Sequence, residues 1–406
     1  MTGSHSIPSR ENGESAILGL VAAGAREGRD LEFKAELYDI TNKEHTASNR
    51  ARRELFADLI AFANTNGGTL IIGIEETDEV ASAATGVPLD AATDFARRLP
   101  ELLLRNIEPP LRSVESEVIP RSTDSSKAFV VLRIRPSLNA PHREASTRNF
   151  YERLGAQRNP MDIDRVRAAF LSGEIAYSAF DEFRSQRVAT LFADHSRPAG
   201  AWWGKEFPTI CLHAAPLHAL TRHARRQIDF RKLDPKKNMA NAYVVDATAY
   251  NAEGFLRYTN ASEGGHGGFG FQVFHNGMYE CVAAGRVWKG ATVLVESEIG
   301  RLIAQSWTHM KLLESQLGPS PWLVSFSAWS LANTELGLAG ERTAESAATS
   351  DQPIFCNEVR VDELPETAAE FGAAVASSLQ PLYTTFKLPG VALPQSPAWW
   401  TKLLQD

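Results

Sequence analysis

The chain has 406 residues, of which 43% are hydrophobic and 22% are charged. This composition supports buried cores in two or three domains and excludes an intrinsically disordered chain. The net charge of −7 argues against uniform coating of a nucleic acid, so any site for a polyanion must be a local patch. No apolar run has the length of a membrane span, and the polar first residues lack a signal-peptide core. The separated Cys211, Cys281 and Cys356 suit buried thiols in a reducing cytoplasm.

The first 170 residues alternate between helical and strand patterns, which favours an α/β domain with a mixed sheet. Ser48 is a candidate N-cap of the second helix, and Asn66-Gly67-Gly68 ends it because glycine accepts the left-handed conformation of a helix C-terminus. We expect residues 1–13 to be disordered. The predicted helices cover residues 14–25, 48–65, 90–105 and 162–171, and the predicted strands are LEFKAEL, TLIIGIEE and AFVVLRIRPS.

The composition changes near residue 200, because all eight tryptophans lie at or after Trp202. We therefore place a domain boundary in SRPAGAWWGKEFP, and Asn276-Gly277 predicts a hairpin beyond it. The later predicted strands are NAYVVDATAY, GFLRYTN, FGFQVFHNGMYECV and ATVLVESEI, and the later predicted helices are 297–316 and 364–380. The chain is thus predicted to be α+β, with domain 14–170, helical connector 171–200, an α+β domain at 201–388 and tail 389–406.

Two acids near the start of the chain raise a question of geometry. Glu27 and Glu32 are five residues apart, a spacing that puts them on one face of neither a strand nor a helix. Gly28 lies between them where a helix gives way to a strand, and it can bend the chain so that the two carboxylates converge.

Several short motifs occur in a fixed order in the first domain. They are Glu27 with Glu32-Phe33-Lys34, the run Ala61 to Gly68, the run Ile71 to Glu76, the run Ile107 to Pro110, the run Phe129 to Pro141, and Tyr151 to Gly155. Each motif by itself is common in unrelated proteins. The ordered set resembles the Schlafen AlbA_2 family, which has also been labelled a divergent AAA-type or ATP-binding domain.

The resemblance implies a metal site built from three acids. Two of them match Glu27 and Glu32, and the third, an aspartate in most members, matches Glu76, with Glu75 or Asp78 as substitutes in another register. Three adjacent carboxylates repel one another unless a divalent cation lies between them. Mg²⁺ or Mn²⁺ is expected, since both prefer carboxylate oxygen and stabilise charge on a phosphoryl group.

A basic strip favours a nucleic-acid partner. Its predicted nucleic-acid contacts are Arg133, Arg135, Arg143, Arg148, Tyr151, Arg153 and Arg158. Arginine suits bidentate phosphate binding, and an aromatic ring stacks on bases; a solvated sheet face is the alternative. Lys34 leaves its strand on the same face as Glu32, so we predict a catalytic contact with the scissile phosphate, with a solvated ion pair as the alternative.

The resemblance leaves three functions in competition. The first is a metal-dependent endoribonuclease acting on structured RNA, above all tRNA, as an anti-phage effector whose C-terminal domain senses a phage-derived trigger. The second is a non-catalytic module that binds DNA or RNA, as in transcriptional regulators, and the third is an ATP-binding switch. Carboxylates weaken polyanion binding, so the acid set favours catalysis, and the lack of a phosphate loop disfavours ATP. Animal members carry two AlbA_2-like lobes, so we expect this single lobe to form a homodimer.

Overall fold

The structure is a computed structural model that describes residues 13–40, 46–112, 114–137, 139–193, 207–220, 228–233, 247–258, 268–288, 290–338, 341–345, 352–391, 393 and 396–405. The chain divides into two compact units, Met1–Glu174 and Ile175–Asp406. Helices and mixed sheets occur in both, which confirms the predicted α+β class. The expected disorder of residues 1–13 and the expected boundary near residue 200 fall almost wholly outside the described residues.

The first unit follows the predicted alternation of helices and strands. Its helices are α1 (Gly13–Ala22), α2 (Thr46–Ala63), α3 (Leu89–Asn106) and the first part of α4 (Ile163–Phe192). Its strands are β1 (Leu31–Lys34), β2 (Gly68–Ile72), β3 (Ile74–Thr77), β4 (Val80–Ala84), β5 (Val87–Pro88), β6 (Ile107–Glu108), β7 (Val114–Pro120), β8 (Lys127–Ile134), β9 (Arg143–Glu144), β10 (Tyr151–Leu154) and β11 (Gln157–Pro160).

A five-stranded mixed sheet forms the centre of the first unit. Strands β1 and β2 are parallel, β2 is antiparallel to β8, and β8 also pairs with β5 and β7. Helices α2 and α3 bury Leu55, Leu59, Phe62, Phe95 and Leu99 beside the apolar side chains of this sheet, as their helical spacing requires. The parallel β1 and β2 end side by side, so residues that follow both strands lie near one another.

Gly73 separates β2 from β3 and sets the direction of the chain beyond the sheet. Its φ is +103°, and a Cβ atom there would lie 2.9 Å from both the Gly86 Cα and the Phe129 ring. A side chain is therefore excluded by both backbone conformation and space. The chain turns into the β3–β4 hairpin, which carries Glu75, Glu76 and Asp78.

The second unit is built around antiparallel sheet and one long helix. Its helices are the rest of α4, α5 (Leu217–Leu220), α6 (Glu296–Leu317), α7 (Ala368–Val375), α8 (Gln380–Thr385) and α9 (Pro397–Gln405), with 3₁₀ helices at Phe230–Leu233 and Ala376–Leu379. Its strands are β12 (Thr209–Pro216), β13 (Ala247–Asn251), β14 (Gly254–Tyr258), β15 (Phe269–Phe274), β16 (Tyr279–Ala284), β17 (Arg286–Trp288), β18 (Ala291–Val295), β19 (Trp322–Trp329), β20 (Thr334–Leu338), β21 (Glu341–Glu345), β22 (Ile354–Phe355) and β23 (Val359–Val361).

Eight of these strands form one sheet in the order β13-β14-β15-β16-β12-β19-β22, with β23 also paired to β19. A second sheet has the order β17-β18-β20-β21. Helix α6 buries Ile299, Leu302, Ile303 and Met310 in the largest apolar cluster of the molecule, which also contains side chains of the eight-stranded sheet. The three cysteines are buried free thiols, as predicted.

Two details differ from the sequence patterns. The strand expected over LEFKAEL ends at Lys34, whose carbonyl accepts the Gly73 N–H, and Ala35 and Glu36 are exposed beyond it. The helices expected at 162–171 and in the connector are one continuous helix, α4. Among the helices that the structure describes, none combines the length and the hydropathy needed to cross a bilayer.

Candidate active site

The turn between α1 and β1 explains how Glu27 and Glu32 meet. The Gly28 N–H donates to the Leu31 carbonyl at 2.9 Å, which closes a tight turn between the two acids. The Glu27 side chain folds over this turn, and its Oε1 accepts the Phe33 N–H at 2.7 Å. The Glu27 carboxylate therefore lies beside β1, the strand that carries Glu32.

The β3–β4 hairpin adds the third acid. The Glu27 N–H donates to the Glu79 carbonyl at 2.7 Å, which ties the acidic turn to the tip of the hairpin. The exposed Glu76 carboxylate accepts the Glu79 N–H at 2.7 Å. Glu75 and Asp78 are exposed on the same hairpin. The backbone thus brings two separate stretches of acidic sequence together, the turn with Glu27 and Glu32 and the β3–β4 hairpin.

The pKa of Glu27 reports that the three acids share one electrostatic environment. Partial burial raises the pKa of the Glu27 carboxyl, and the neighbouring Glu32 and Glu76 carboxylates raise it further. The Phe33 N–H and the Lys34 ammonium act in the opposite direction, but the net shift is upward. Burial is the larger cause of this shift, and repulsion among the like charges adds to it. The sequence-predicted acids are therefore close enough to interact.

Glu32 is the most buried of the three acids, and it bonds two cations. It is 6% exposed, its Oε1 accepts a hydrogen bond from the Lys34 ammonium, and its Oε2 accepts one from Arg153 at 2.6 Å. Burial by itself would lower the pKa of Lys34, yet the Glu32, Asp58 and Glu27 carboxylates together outweigh this and raise it. Lys34 therefore remains a cation with further N–H donors available.

Arg153 lies inside the domain and organises the acidic turn. Its side chain is 0% exposed, and besides Glu32 it donates to the Gly28 carbonyl at 2.8 Å and to the Ala156 carbonyl at 2.9 Å. The guanidinium also stacks over the Phe62 ring at 4.3 Å. This geometry corrects the sequence-based assignment of Arg153 to the nucleic-acid surface, since a fully buried guanidinium has no face for a phosphate.

A model of the Schlafen AlbA_2 family matches residues 27–162. This part of the chain is a Schlafen AlbA_2 domain. No curated protein matches the chain. One solved structure that it resembles is the DIP2311 protein from Corynebacterium diphtheriae, at 16% identity and a TM-score of 0.25, over 38% of this chain and 27% of that one. The chain thus spans about a quarter of that protein, and similarity at this level does not bear on activity.

The basic strip of the AlbA_2 domain is largely neutralised by acids from other segments. Four of its arginines form ion pairs: Arg133 with Glu117 at 2.7 Å, Arg135 with Glu115 at 2.6 Å, Arg143 with Glu108 at 2.9 Å and Arg158 with Asp58 at 2.7 Å. Arg148 is exposed, and Tyr151 is half-buried. The excess of positive charge counted along the sequence therefore does not appear as a matching surface patch.

A cavity of about 230 Å³ opens beside Glu32 and Lys34 in the AlbA_2 domain. Tyr38, Asp58 and Arg158 also line it. Burial raises the pKa of the Asp58 carboxyl despite its bonds to Arg158 at 2.7 Å and to the Tyr38 hydroxyl at 2.8 Å. Sequence analysis missed Asp58, although an aspartate between Leu55 and Phe62 on the apolar face of α2 was a detectable signal.

The acids of the AlbA_2 domain fit a hard divalent cation by chemistry and charge. They offer carboxylate oxygens, which Mg²⁺ and Mn²⁺ prefer. A cation would also relieve the repulsion from Glu32 and Glu76 that adds to the effect of burial on the pKa of Glu27. The carboxylate oxygens of Glu27, Glu32 and Glu76 do not all lie within 4.8 Å of one another. Among the described residues, only a different group of three potential ligands is that compact. Binding of one ion by all three acids therefore requires a side chain to move. Glu76 can do so most easily, because it is exposed.

That compact cluster lies in the second unit and consists of Cys211, His213 and Glu280, whose ligand atoms are all within 4.8 Å of one another. Arg187 already holds both Glu280 oxygens, at 2.9 and 3.0 Å, and lowers the pKa of Glu280 to about 2 together with His213. Burial lowers the pKa of His213, so the ring is neutral. We interpret the cluster as a buried ion-pair network, because all three residues are buried and Glu280 already bonds both His213 and Arg187.

Proposed function

We propose that the AlbA_2 domain is a divalent-metal-dependent endoribonuclease that acts on structured RNA, with tRNA as the first candidate. Glu27, Glu32 and Glu76 are the proposed metal ligands. The observation that supports this best is that the Glu27 N–H bonds the Glu79 carbonyl at 2.7 Å, which ties the turn with Glu27 and Glu32 to the hairpin with Glu76. Burial raises the pKa of Glu27, and the Glu32 and Glu76 carboxylates raise it further. A protein that only grips a phosphate backbone gains nothing from such a cluster, since it repels polyanions.

The residues of this chain divide the chemistry among them. A bound Mg²⁺ or Mn²⁺ would stabilise charge on the phosphoryl oxygens and lower the pKa of a coordinated water. Lys34 lies beside Glu32 and has N–H donors left for a phosphate oxygen. Arg153 fixes the Glu32 carboxylate and the Gly28 carbonyl, so the turn between the two glutamates keeps its shape.

The test is cleavage of purified total tRNA with Mn²⁺, Mg²⁺ or EDTA. We expect cleavage with a divalent ion, none in EDTA, and at least a hundredfold loss of rate in Glu27→Gln, Glu32→Gln and Glu76→Gln. The matched control is Glu101→Gln, which changes an exposed acid on α3 that pairs with Arg105. Equal cleavage by the wild type and all three site variants would assign the activity to a contaminant and reject the proposal.

A non-catalytic nucleic-acid-binding module is the second candidate. One observation favours it: both oxygens of Glu32 are engaged by cations, Lys34 and Arg153, so this carboxylate is already neutralised without a metal. RNA or DNA binding that persists in EDTA, without cleavage under any metal, would select this function. The proposed roles of the second unit as a sensor of a phage-derived trigger, and of the protein in cytoplasmic defence, depend on the nuclease.

A further inference from the structure

The cavity beside the acids has walls of mixed charge. Its cations are Lys34, Arg153 and Arg158, and its acids are Glu32, Glu54 and Asp58. The equal numbers of carboxylates and cations give the cavity walls no net charge that would favour a free phosphate or a metal ion inside the cavity itself. A ligand that suits both sets of groups is a neutral polar molecule with hydrogen-bond donors and acceptors on its edge.

The hydrogen bonds within the walls fix the polar atoms before any ligand binds. Asp58 accepts from Tyr38 at 2.8 Å and from Arg158 at 2.7 Å, and Arg158 also donates to the Glu54 carbonyl at 2.7 Å. Asp58 and Tyr38 are 3% and 8% exposed. Each carboxylate oxygen has a second lone pair and the Lys34 ammonium has further N–H groups, so the fixed walls retain both acceptors and donors.

Size limits the ligand to about one nucleobase. The volume of about 230 Å³ is below the roughly 300–1,000 Å³ of sites for drug-sized molecules. Proteins that recognise RNA sequence commonly read single unstacked bases by hydrogen bonds to their edges. Carboxylates accept from the amino and imino groups of a base, and arginine or lysine donates to its carbonyl and ring nitrogen atoms.

We propose that this cavity binds one unpaired nucleobase of the RNA substrate and so determines where the RNA is cut. The proposal rests on the proposed nuclease function, because Glu32 and Lys34 belong to both the cavity and the acidic site. A base held here would place its own phosphodiester beside the acids. Cleavage is then expected at unpaired positions and next to a preferred base.

Binding is tested separately from cleavage by saturation-transfer NMR in EDTA. The probes are adenosine, guanosine, cytidine and uridine, with ribose and inorganic phosphate as competitors. We expect signals from at least one nucleoside that ribose and phosphate do not suppress. Tyr38→Phe, which removes the hydroxyl that bonds Asp58, and Glu54→Gln should weaken that binding several-fold, whereas the exposed Glu101→Gln should not.

Cleavage mapping gives the second readout. In wild-type protein, cut sites on a tRNA mixture should cluster at unpaired nucleotides with one base enriched, and Tyr38→Phe or Glu54→Gln should reduce the enrichment more than the rate. Nucleoside binding without any cleavage would reject the proposed nuclease function and support nucleobase binding in the cavity. Cleavage with no base enrichment, or nucleoside signals suppressed by phosphate or ribose, would overturn the pocket and leave the nuclease.

Discussion

At neutral pH the ionised Glu27 carboxylate lowers the stability of the folded state, although it is one of the proposed metal ligands. Its carboxyl has a raised pKa because of burial and of the nearby Glu32 and Glu76 charges. The folded state therefore binds its proton more tightly than the unfolded chain does. The resulting stability is present at low pH and declines as pH rises from the unfolded to the folded pKa. Proposed metal binding has the opposite dependence, because a ligand carboxyl must lose its proton.

The change Glu27→Gln separates these two effects. Glutamine keeps an oxygen that can accept the Phe33 N–H and removes the repulsive charge. At pH 8 we expect an unfolding free energy equal to wild type or higher by up to about 1 kcal/mol, since solvent screens this half-exposed group. Cleavage should be lost in the same protein. Urea melts at pH 5 and pH 8 measure the first effect, with the exposed Glu75→Gln as control; a destabilised Glu27→Gln would contradict it.

Arg153 is predicted to stabilise the fold of the AlbA_2 domain and not to contact RNA directly. Replacing it with alanine leaves the buried Glu32 Oε2 without its donor, although Lys34 still bonds Oε1, and it also removes the donors of the Gly28 and Ala156 carbonyls. Loss of one member of a buried ion pair costs about 3–5 kcal/mol. We expect Arg153→Ala to lower the unfolding free energy of the AlbA_2 domain by that amount in urea melts. The control Arg148→Ala changes an exposed arginine, and its unfolding free energy should stay within about 0.5 kcal/mol of wild type. Equal unfolding free energies of the Arg153→Ala and Arg148→Ala variants would refute the structural role of Arg153.

Among the elements, the β3–β4 hairpin controls the position of the third acid. Asp78 and Glu79 form its two-residue loop with φ values of +54° and +63°, a conformation that favours Asn-Gly in a type I′ turn. The Glu79 N–H and carbonyl bond to Glu76 and Glu27. Because both are backbone groups, the loop sequence can change without loss of these bonds.

Replacement of Asp78-Glu79 by Asn-Gly tests which acid is the third ligand. The new residues relieve left-handed strain of about 1 kcal/mol per residue, so the melting temperature should rise. If Glu76 is the ligand, cleavage and Mn²⁺ dependence should be unchanged, and Glu76→Gln in the same background should abolish cleavage. Loss of cleavage in the stable Asn-Gly variant would instead identify Asp78.

At the scale of the whole molecule, the model of the AlbA_2 family matches residues 27–162. Four arginines of the basic strip are paired with acids, so this strip of a single domain offers little positive charge for an extended RNA. A second copy of the chain would add a second AlbA_2 surface for the RNA, and C2 dimers are the commonest oligomers. We therefore predict a homodimer. Light scattering should give twice the 44.5 kDa of the chain at micromolar concentration; a monomer mass with and without RNA would contradict it.

The sequence by itself indicated most of the helices and strands and named the candidate acids Glu27, Glu32 and Glu76. Helical spacing and Asn66-Gly67-Gly68 predict α2, and Asn276-Gly277 predicts the β15–β16 hairpin, because these signals depend on neighbouring residues. The charge of each arginine was equally visible, but its partner was not. Arg153 contacts Glu32 across 121 positions of sequence, and Asp58 meets Arg158 across 100. Only the tertiary structure decided which charges are buried, paired or gathered around a cavity, since these depend on strands and helices from distant segments packing together.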